Sequence, residues 1–372
     1  MINIAIVGSG SISAAHIEAY LSFPDRCRIV ALADTRPENA AKRAAEYNLN
    51  AAVYASHEEL LGKKNIDLVS ICTPPFTHAE TASALLSDGK AVLLEKPMAP
   101  SLEECDRIID AAEKSGATLA MVAQNRFSPP YIKLKKIIDS GLIGRITHAQ
   151  VDAFNWRGTH YYDLWWRGSW EMEGGGSSMS QCIHEIDLLC WIMGMPDKIT
   201  AVLANTCHGN SEVEDISVSV LEYPGPALAQ VTSSVIHHGQ NRKIVFQGER
   251  AAVSAPWSVY ASRQRADGFP EPNDSAIAEI NTFYNAIPDP VFTGHRAQID
   301  DVLTALEKGR APSVTGADGR RTVEFLAGLY QAGNMGVPVT YPLTRSNSFY
   351  TKSGILKHVR RFHEKAASKE TL

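Results

Sequence analysis

The first 34 residues hold, in order, an apolar run, a glycine-rich turn, a helical pattern, a second apolar run and an acid. Ile2 to Val7 has the length of a buried strand and leads into Gly8-Ser9-Gly10-Ser11-Ile12-Ser13, with helical periodicity from Ile12 through Leu21. Gly8 allows a tight turn and Gly10 the close approach of a pyrophosphate, whose charge is favoured at the positive end of a helix. Ser13 stands where a third glycine or alanine is usual; it is still small enough to keep helix and strand close. The second strand, Arg28 to Ala33, ends in Asp34, 21 residues after Ser13. An acid there accepts hydrogen bonds from adenosine ribose hydroxyls and repels a 2′-phosphate, which favours NAD over NADP. Arg36 is close enough to hold a phosphate, so NADP stays open. Gly8, Ser9, Gly10, Ser11, Ile12, Asp34, Thr35 and Arg36 are the candidate dinucleotide contacts.

The alternation continues with a helix over Pro37–Tyr47, a strand at Ala52–Tyr54, a short helix at His57–Leu61 and an apolar strand at Asp67–Cys72. This rhythm predicts a doubly wound parallel sheet. Thr73, Pro74 and Pro75 then lie at its carboxyl edge, where the nicotinamide half of a cofactor rests. His78 either touches that half or sits structurally at the start of a helix. Ala91–Leu94 is another buried strand, followed by Glu95-Lys96-Pro97. Pro97 cannot donate to a ladder and denies Lys96 a helical conformation, so the chain turns there. Ligands bind outside the carboxyl ends of such strands, which places Glu95 and Lys96 beside one. A capping box, Ser101 with Glu104, starts a helix to Ser115, and Thr118–Val122 is one more strand. Gln124 to Pro130 breaks the rhythm. We therefore expect a Rossmann domain over 1–124, a second domain over 125–345 and a helical tail over 346–372.

With 372 residues the chain can hold two cores, and 44% hydrophobic with 21% charged residues describes a globular protein. No apolar run reaches the ~18 residues that span a bilayer, and no leader is legible, so a cytoplasmic location without membrane contact is expected. A net charge of −5 with dispersed basic residues disfavours nucleic acid. The six cysteines lack paired spacing and imply no structural metal.

In the second half Ile146–Trp156 alternates as a long strand, followed by an aromatic loop over residues 160–170. Tyr161, Tyr162, Trp166 and Arg167 suit a polyol pocket, because ring faces pack on sugar C–H groups while polar tips bond oxygens. The same residues also suit a subunit interface. Gly174-Gly175-Gly176 allows close backbone approach to a ligand and precedes a helix from Gln181 to Met193, on which His184 and Asp187 share one face. Strands near 199–205, 216–223, 227–234, 243–247 and 251–254 predict a large open, mainly antiparallel sheet whose exposed side can bind another copy. Helices at 276–286, 296–308 and 320–332 complete this domain, with His295 near the pocket, and a final amphipathic helix carries Ile355, Leu356, Val359 and Phe362.

Gly8-Ser9-Gly10, Asp34, Thr73-Pro74-Pro75 with His78, Glu95-Lys96-Pro97, Arg126-Phe127, Gly141-Leu142-Ile143-Gly144, and Gly174-Gly175-Gly176 with His184 and Asp187 together resemble the Gfo/Idh/MocA oxidoreductases. The resemblance implies a Rossmann domain, an α+β domain with a large open sheet, a pocket between them, and a homodimer or homotetramer. It also implies NAD-dependent oxidation of a secondary hydroxyl on an inositol or sugar, with Lys96 stabilising the alkoxide and His184 as base. Glu95 would hold the Lys96 ammonium and Asp187 would orient His184 or bind a hydroxyl. Gln124 joins the cofactor contacts, and Arg126, Ser180 and Gln181 the substrate contacts. The family often has an aspartate where this chain has Ser180. Three rivals remain: a keto-sugar reductase using NAD(P)H, a redox-neutral NAD-using glycosidase, and a nucleotide-binding regulator without catalysis.

Overall fold

A computed structural model of the chain describes residues 1–365. Six short strands form the first sheet: β1 (Ile2–Val7), β2 (Cys27–Ala33), β3 (Ala52–Tyr54), β4 (Leu68–Ile71), β5 (Ala91–Leu94) and β6 (Leu119–Met121). All neighbours are parallel and the order is β3-β2-β1-β4-β5-β6. β4 and β5 are buried at every position, as strands covered on both faces must be. Their covers are α1 (Ser11–Leu21), α2 (Pro37–Glu46), α3 (His78–Ser87) and α4 (Leu102–Ser115). Ser101 caps α4 through the amide of Glu104, and Gly116 ends it in a left-handed conformation. The strand order reverses between β1 and β4, which opens a crevice at their carboxyl ends.

After α5 (Pro129–Asp139) the chain enters an eight-stranded sheet. It comprises β7 (Ile146–Phe154), β8 (Lys198–Ala204), β9 (Ile216–Glu222), β10 (Leu228–Ser234), β11 (Arg242–Gly248), β12 (Ala252–Ala255) and β13 (Ser258–Tyr260), with β16 (Val339–Thr340) at its far edge. A separate hairpin of β14 (Ser262–Gln264) and β15 (Pro270–Pro272) leads to the closing helices. Pairing in the large sheet is antiparallel except between β7 and β10, which run parallel. One face is covered by α6 (Ser177–Ser180), α7 (Ile183–Met193) and α10 (Gly316–Met335). The opposite face exposes Val202, Val218, Val220 and Leu228, the surface that the expected self-association needs.

Two expectations change. Arg296 to Lys308 is not a helix of the second domain: α9 (Gly294–Lys308), which follows α8 (Asp274–Ala286), returns to the first sheet. There Ile299, Val302 and Leu303 share a buried cluster with Ile4, Ile6, Ile17 and Leu32. Arg26 also pairs with Asp300 and, at 2.8 Å, with Glu307. The helical stripe shows that one face is buried but not which sheet buries it. The carboxyl-terminal helix is also shorter than expected. α11 spans Lys352–His358, after which Val359 is extended and Phe362 donates its amide to the carbonyl of Glu212 at 3.0 Å. The rest of the expected tail, residues 366–372, lies outside the described residues.

If α9 is part of the first core, Leu303→Ala should lower unfolding free energy by about 2–5 kcal/mol in urea titration. A loss below about 0.5 kcal/mol would show that α9 packs elsewhere.

Candidate active site

Gly8 follows β1 with φ +93°, and a Cβ there would lie 2.8 Å from the Cys72 backbone and 2.9 Å from Thr73 Cγ2. Only glycine lets the β1 and β4 ends close together. Gly10 faces open space. It precedes α1 without a side-chain cap, so the first amides of that helix point into the crevice unsatisfied by the chain's own side chains. Among the described residues, Ser9 Oγ is buried there without a partner. Asp34, at the β2 tip, accepts the Ser9 amide at 2.7 Å and the Arg36 amide at 2.9 Å, leaving lone pairs for ribose hydroxyls. The buried carbonyl oxygen of the Gln124 side chain is likewise unpartnered. An open cradle, free helix amides and orphaned polar atoms together fit a dinucleotide. His78 does not belong to this set: it is buried, with one ring nitrogen 2.9 Å from the carbonyl of Pro97 and the other 2.8 Å from that of Thr73. It clamps the two strand-end turns to each other, so no ring edge remains for a nicotinamide.

Glu95 and Lys96 leave β5 in different directions. Glu95 is buried, lies 3.0 Å from His16 Nε2 on α1 and accepts the Lys96 amide at 3.1 Å. Burial would raise its carboxyl, but His16 and, at 3.8 Å, His295 outweigh this and hold it well below the ordinary carboxylate range. Glu95 makes no direct hydrogen bond to the Lys96 ammonium, because the carboxylate is engaged by imidazoles, but its charge still favours the ammonium form. Lys96 Nζ instead reaches the other half of the chain and donates to the carbonyl of Ser180 at 3.3 Å. Burial lowers its pKa, Glu95 opposes this, and Arg167 and Arg242 add to the lowering. His16, Glu95 and His295 bring three ligand atoms within 4.8 Å of one another, a set with the donors for a metal ion, although no metal was expected.

His184 is the second residue of α7 and lines one small cavity with Lys96, Ile183 and Asp187. Burial, Lys96 and Arg242 hold its pKa well below the ordinary histidine value, so the ring is neutral. Its position is set by the three glycines, though not through close approach to a ligand. A Cβ on Gly176 would lie 1.9 Å from the Glu214 carbonyl, and one on Gly175 2.1 Å from Tyr330 Oη. Glu214 accepts the Gly176 amide at 2.9 Å, the Ser178 amide at 3.0 Å and Tyr330 Oη at 3.0 Å. The glycines thus seat the start of this helical segment on a buried carboxylate and a tyrosine that local sequence does not reveal.

Asp187 does not orient His184. Both its oxygens take Arg126, each at 2.7 Å, and Arg126 also meets Asp318 at 3.2 Å. Arg126 is thereby removed from the substrate contacts, since two carboxylates neutralise it inside the protein. Tyr162 is buried in the core with its hydroxyl unpartnered, so it too is excluded from the pocket. Its neighbour Tyr161 accepts Gln181 Nε2 at 3.0 Å and also binds Arg167. The Arg167 guanidinium stacks 4.2 Å from the Tyr161 and Trp166 rings and pairs with Glu173 at 3.1 Å. Ser180 Oγ donates to the carbonyl of Gly176 at 2.9 Å. Trp165 meets Phe76 edge-on at 5.5 Å, which joins the aromatic loop to the turn after β4. Sequence reasoning missed His16, Glu185, Arg242, Glu214 and Tyr330, each matched to partners on distant elements.

The pattern of the oxidoreductase family GFO_IDH_MocA, with an NAD-binding Rossmann fold, matches residues 2–123, and its C-terminal domain matches residues 131–254. The WlbA dehydrogenase of Bordetella pertussis, crystallised with NADH and UDP-GlcNAcA, is 30% identical with a TM-score of 0.79, covering 92% of this chain and 98% of that one. Inositol 2-dehydrogenase 1 of Saccharopolyspora erythraea is 24% identical over 357 residues, 94% of this chain and 99% of the relative. Levoglucosan dehydrogenase in complex with NADH and levoglucosan shares the fold at 22% identity and a TM-score of 0.77, covering 92% of this chain and 100% of that one.

Because Asp187 balances a buried guanidinium, Asp187→Ala should cost about 3–5 kcal/mol in denaturant unfolding. Unchanged stability would return Asp187 to a purely substrate-facing role.

Proposed function

The chain belongs to the Gfo/Idh/MocA oxidoreductase family, and from that premise we propose that it is an NAD-dependent dehydrogenase acting on a secondary hydroxyl of a sugar or inositol. One observation carries this reading: Lys96 from the first sheet and His184 from the second half line the same cavity. NAD, when bound, supplies the acceptor for the hydride leaving the carbinol carbon. The residues holding it are Gly8 to Ile12, Asp34 and Gln124, with Thr73 at the nicotinamide end. The acid at the β2 tip favours a free ribose hydroxyl over a phosphate there.

The substrate hydroxyl sits between Lys96 and His184. His184 takes the hydroxyl proton on a ring nitrogen, and its neutral state leaves it free to do so. Lys96 Nζ donates to the same oxygen and stabilises negative charge as the O–H bond breaks. The Ser180 carbonyl holds that ammonium across the cleft, in place of a carboxylate. Tyr161, Trp166, Arg167 and Gln181 bind and orient the remaining hydroxyls. The similar structures hold different sugars, UDP-GlcNAcA in one and levoglucosan in another, so the choice of substrate rests on this chain's own residues.

Lys96→Ala and His184→Ala should each lower kcat by about 10²–10⁴-fold, with the NADH dissociation constant unchanged within about threefold by fluorescence titration. Normal turnover in both variants would remove the two roles. Since burial holds His184 below its usual pKa, the base form persists under pH ~6.5. The acid limb of kcat/KM for oxidation should therefore fall below that pH; a limb at or above ~6.5 would exclude His184 as the titrating base.

A further inference from the structure

Lys96 is not the only cation at the substrate end of the cleft. Arg157 follows β7, Arg167 sits in the aromatic loop and Arg242 begins β11. Ala153, Asn155 and Arg157 alternate along one side of the chain leaving β7, and Arg242 is paired in register with Ala153, so the two strands bring their arginines to the helix-covered face.

Counter-charge is incomplete there. Glu173 matches Arg167. Arg157, among the described residues, gives its hydrogen bonds to neutral acceptors: the Trp156 carbonyl at 2.7 Å and the side-chain amide oxygens of Gln181 at 2.9 Å and Gln240 at 3.5 Å. Arg242 donates to the amide oxygen of Asn155 at 2.8 and 3.2 Å and remains 35% exposed in its side chain. Among the described residues its nearest acid is Glu185, 3.5 Å away and 1% exposed, with no hydrogen bond to either oxygen. Burial pushes Glu185 up to about 7, so it is only partly ionised near neutrality. Arg167 and Arg242 are also near enough to Lys96 to lower its pKa.

We propose that the substrate is an anionic sugar, whose carboxylate or phosphate is bound by Arg157 and Arg242 while the hydroxyl to be oxidised lies between Lys96 and His184. The inference rests on the dehydrogenase reading for the second half of that statement only. The cofactor's pyrophosphate does not account for these arginines, because its cradle is the loop between β1 and α1, on the other sheet. A planar guanidinium matches both anions in a two-point fashion, and a neutral sugar leaves Arg157 with neutral acceptors and Arg242 with only the buried Glu185.

The test compares D-glucuronate and D-glucose 6-phosphate with D-glucose and myo-inositol. It uses thermal shift of the NADH-saturated protein and, separately, NAD reduction. At least one anionic sugar should raise the melting temperature and give a kcat/KM about 10–100-fold above its neutral counterpart. The carboxylate and phosphate arms identify the anion. Arg157→Gln and Arg242→Gln should raise KM for the acid about tenfold or more beyond any rise for neutral sugars. Arg157→Lys, which keeps the charge, should recover part of the loss. Neutral sugars turned over as well as acids, with equal effects of the variants on both, would overturn the inference and leave the dehydrogenase standing. If no sugar reduces NAD, the dehydrogenase reading falls. The anion site is then decided by thermal shift alone: a shift by acids that is lost in both glutamine variants supports it, and no shift overturns it.

Discussion

A carboxylate buried at the end of a strand must be matched by positive or donating groups, and Glu95 is such a carboxylate. It finds them in His16 at 3.0 Å and in the amide of Lys96 at 3.1 Å. The consequence is directional. With Glu95 committed to α1, the next side chain leaves on the other side, and the Lys96 ammonium crosses to the Ser180 carbonyl. His16 is itself fixed by Ser70 Oγ at 3.2 Å, and Ser70 by Tyr20 Oη at 2.7 Å, so the turn after β5 is tied to α1 and β4 together. The cleft therefore has one rigid wall before any substrate enters.

The other wall is built from a second buried acid. Glu214 gathers the Gly176 and Ser178 amides and the Tyr330 hydroxyl, and burial keeps it protonatable, with its pKa raised to about 7. That arrangement leaves no room for side chains at positions 175 and 176. It also fixes the start of α6, the short helix that leads into α7 and His184. Between the walls the field is positive, since Lys96, Arg157 and Arg242 lack full carboxylate partners while Arg126 and Arg167 have theirs. Burial, with Lys96 and Arg242 nearby, keeps His184 neutral, and burial, with Arg167 and Arg242 opposing the pull of Glu95, lowers the pKa of Lys96, which suits one to accept a proton and the other to donate a hydrogen bond.

Much of this was legible in the chain because it is local. The parallel sheet follows from strand and helix periods, the cofactor cradle from glycines at fixed spacing between a strand and a helix, and the turn at Lys96 from Pro97. Arg126 and Asp187 serve each other rather than a substrate, and His78 takes the structural of its two readings, for a common reason. A polar side chain near a ligand edge and one that satisfies a buried partner have the same local signature, and only the partner separates them. Arg126 meets Asp187 across 61 residues and Asp318 across 192.

Sequence alone determined where the backbone turns, which segments are strands and helices, and that Gly8, Gly10 and Asp34 frame an open cradle at the strand ends. Those choices depend on sterics and hydrophobic periodicity within a few residues. Tertiary structure alone decided which charges stay available. The energy of a buried charge depends on what lies within a few ångströms, and here those neighbours come from distant segments: α9 returning to the first sheet, Glu214 under the glycines, and Arg242 beside Glu185.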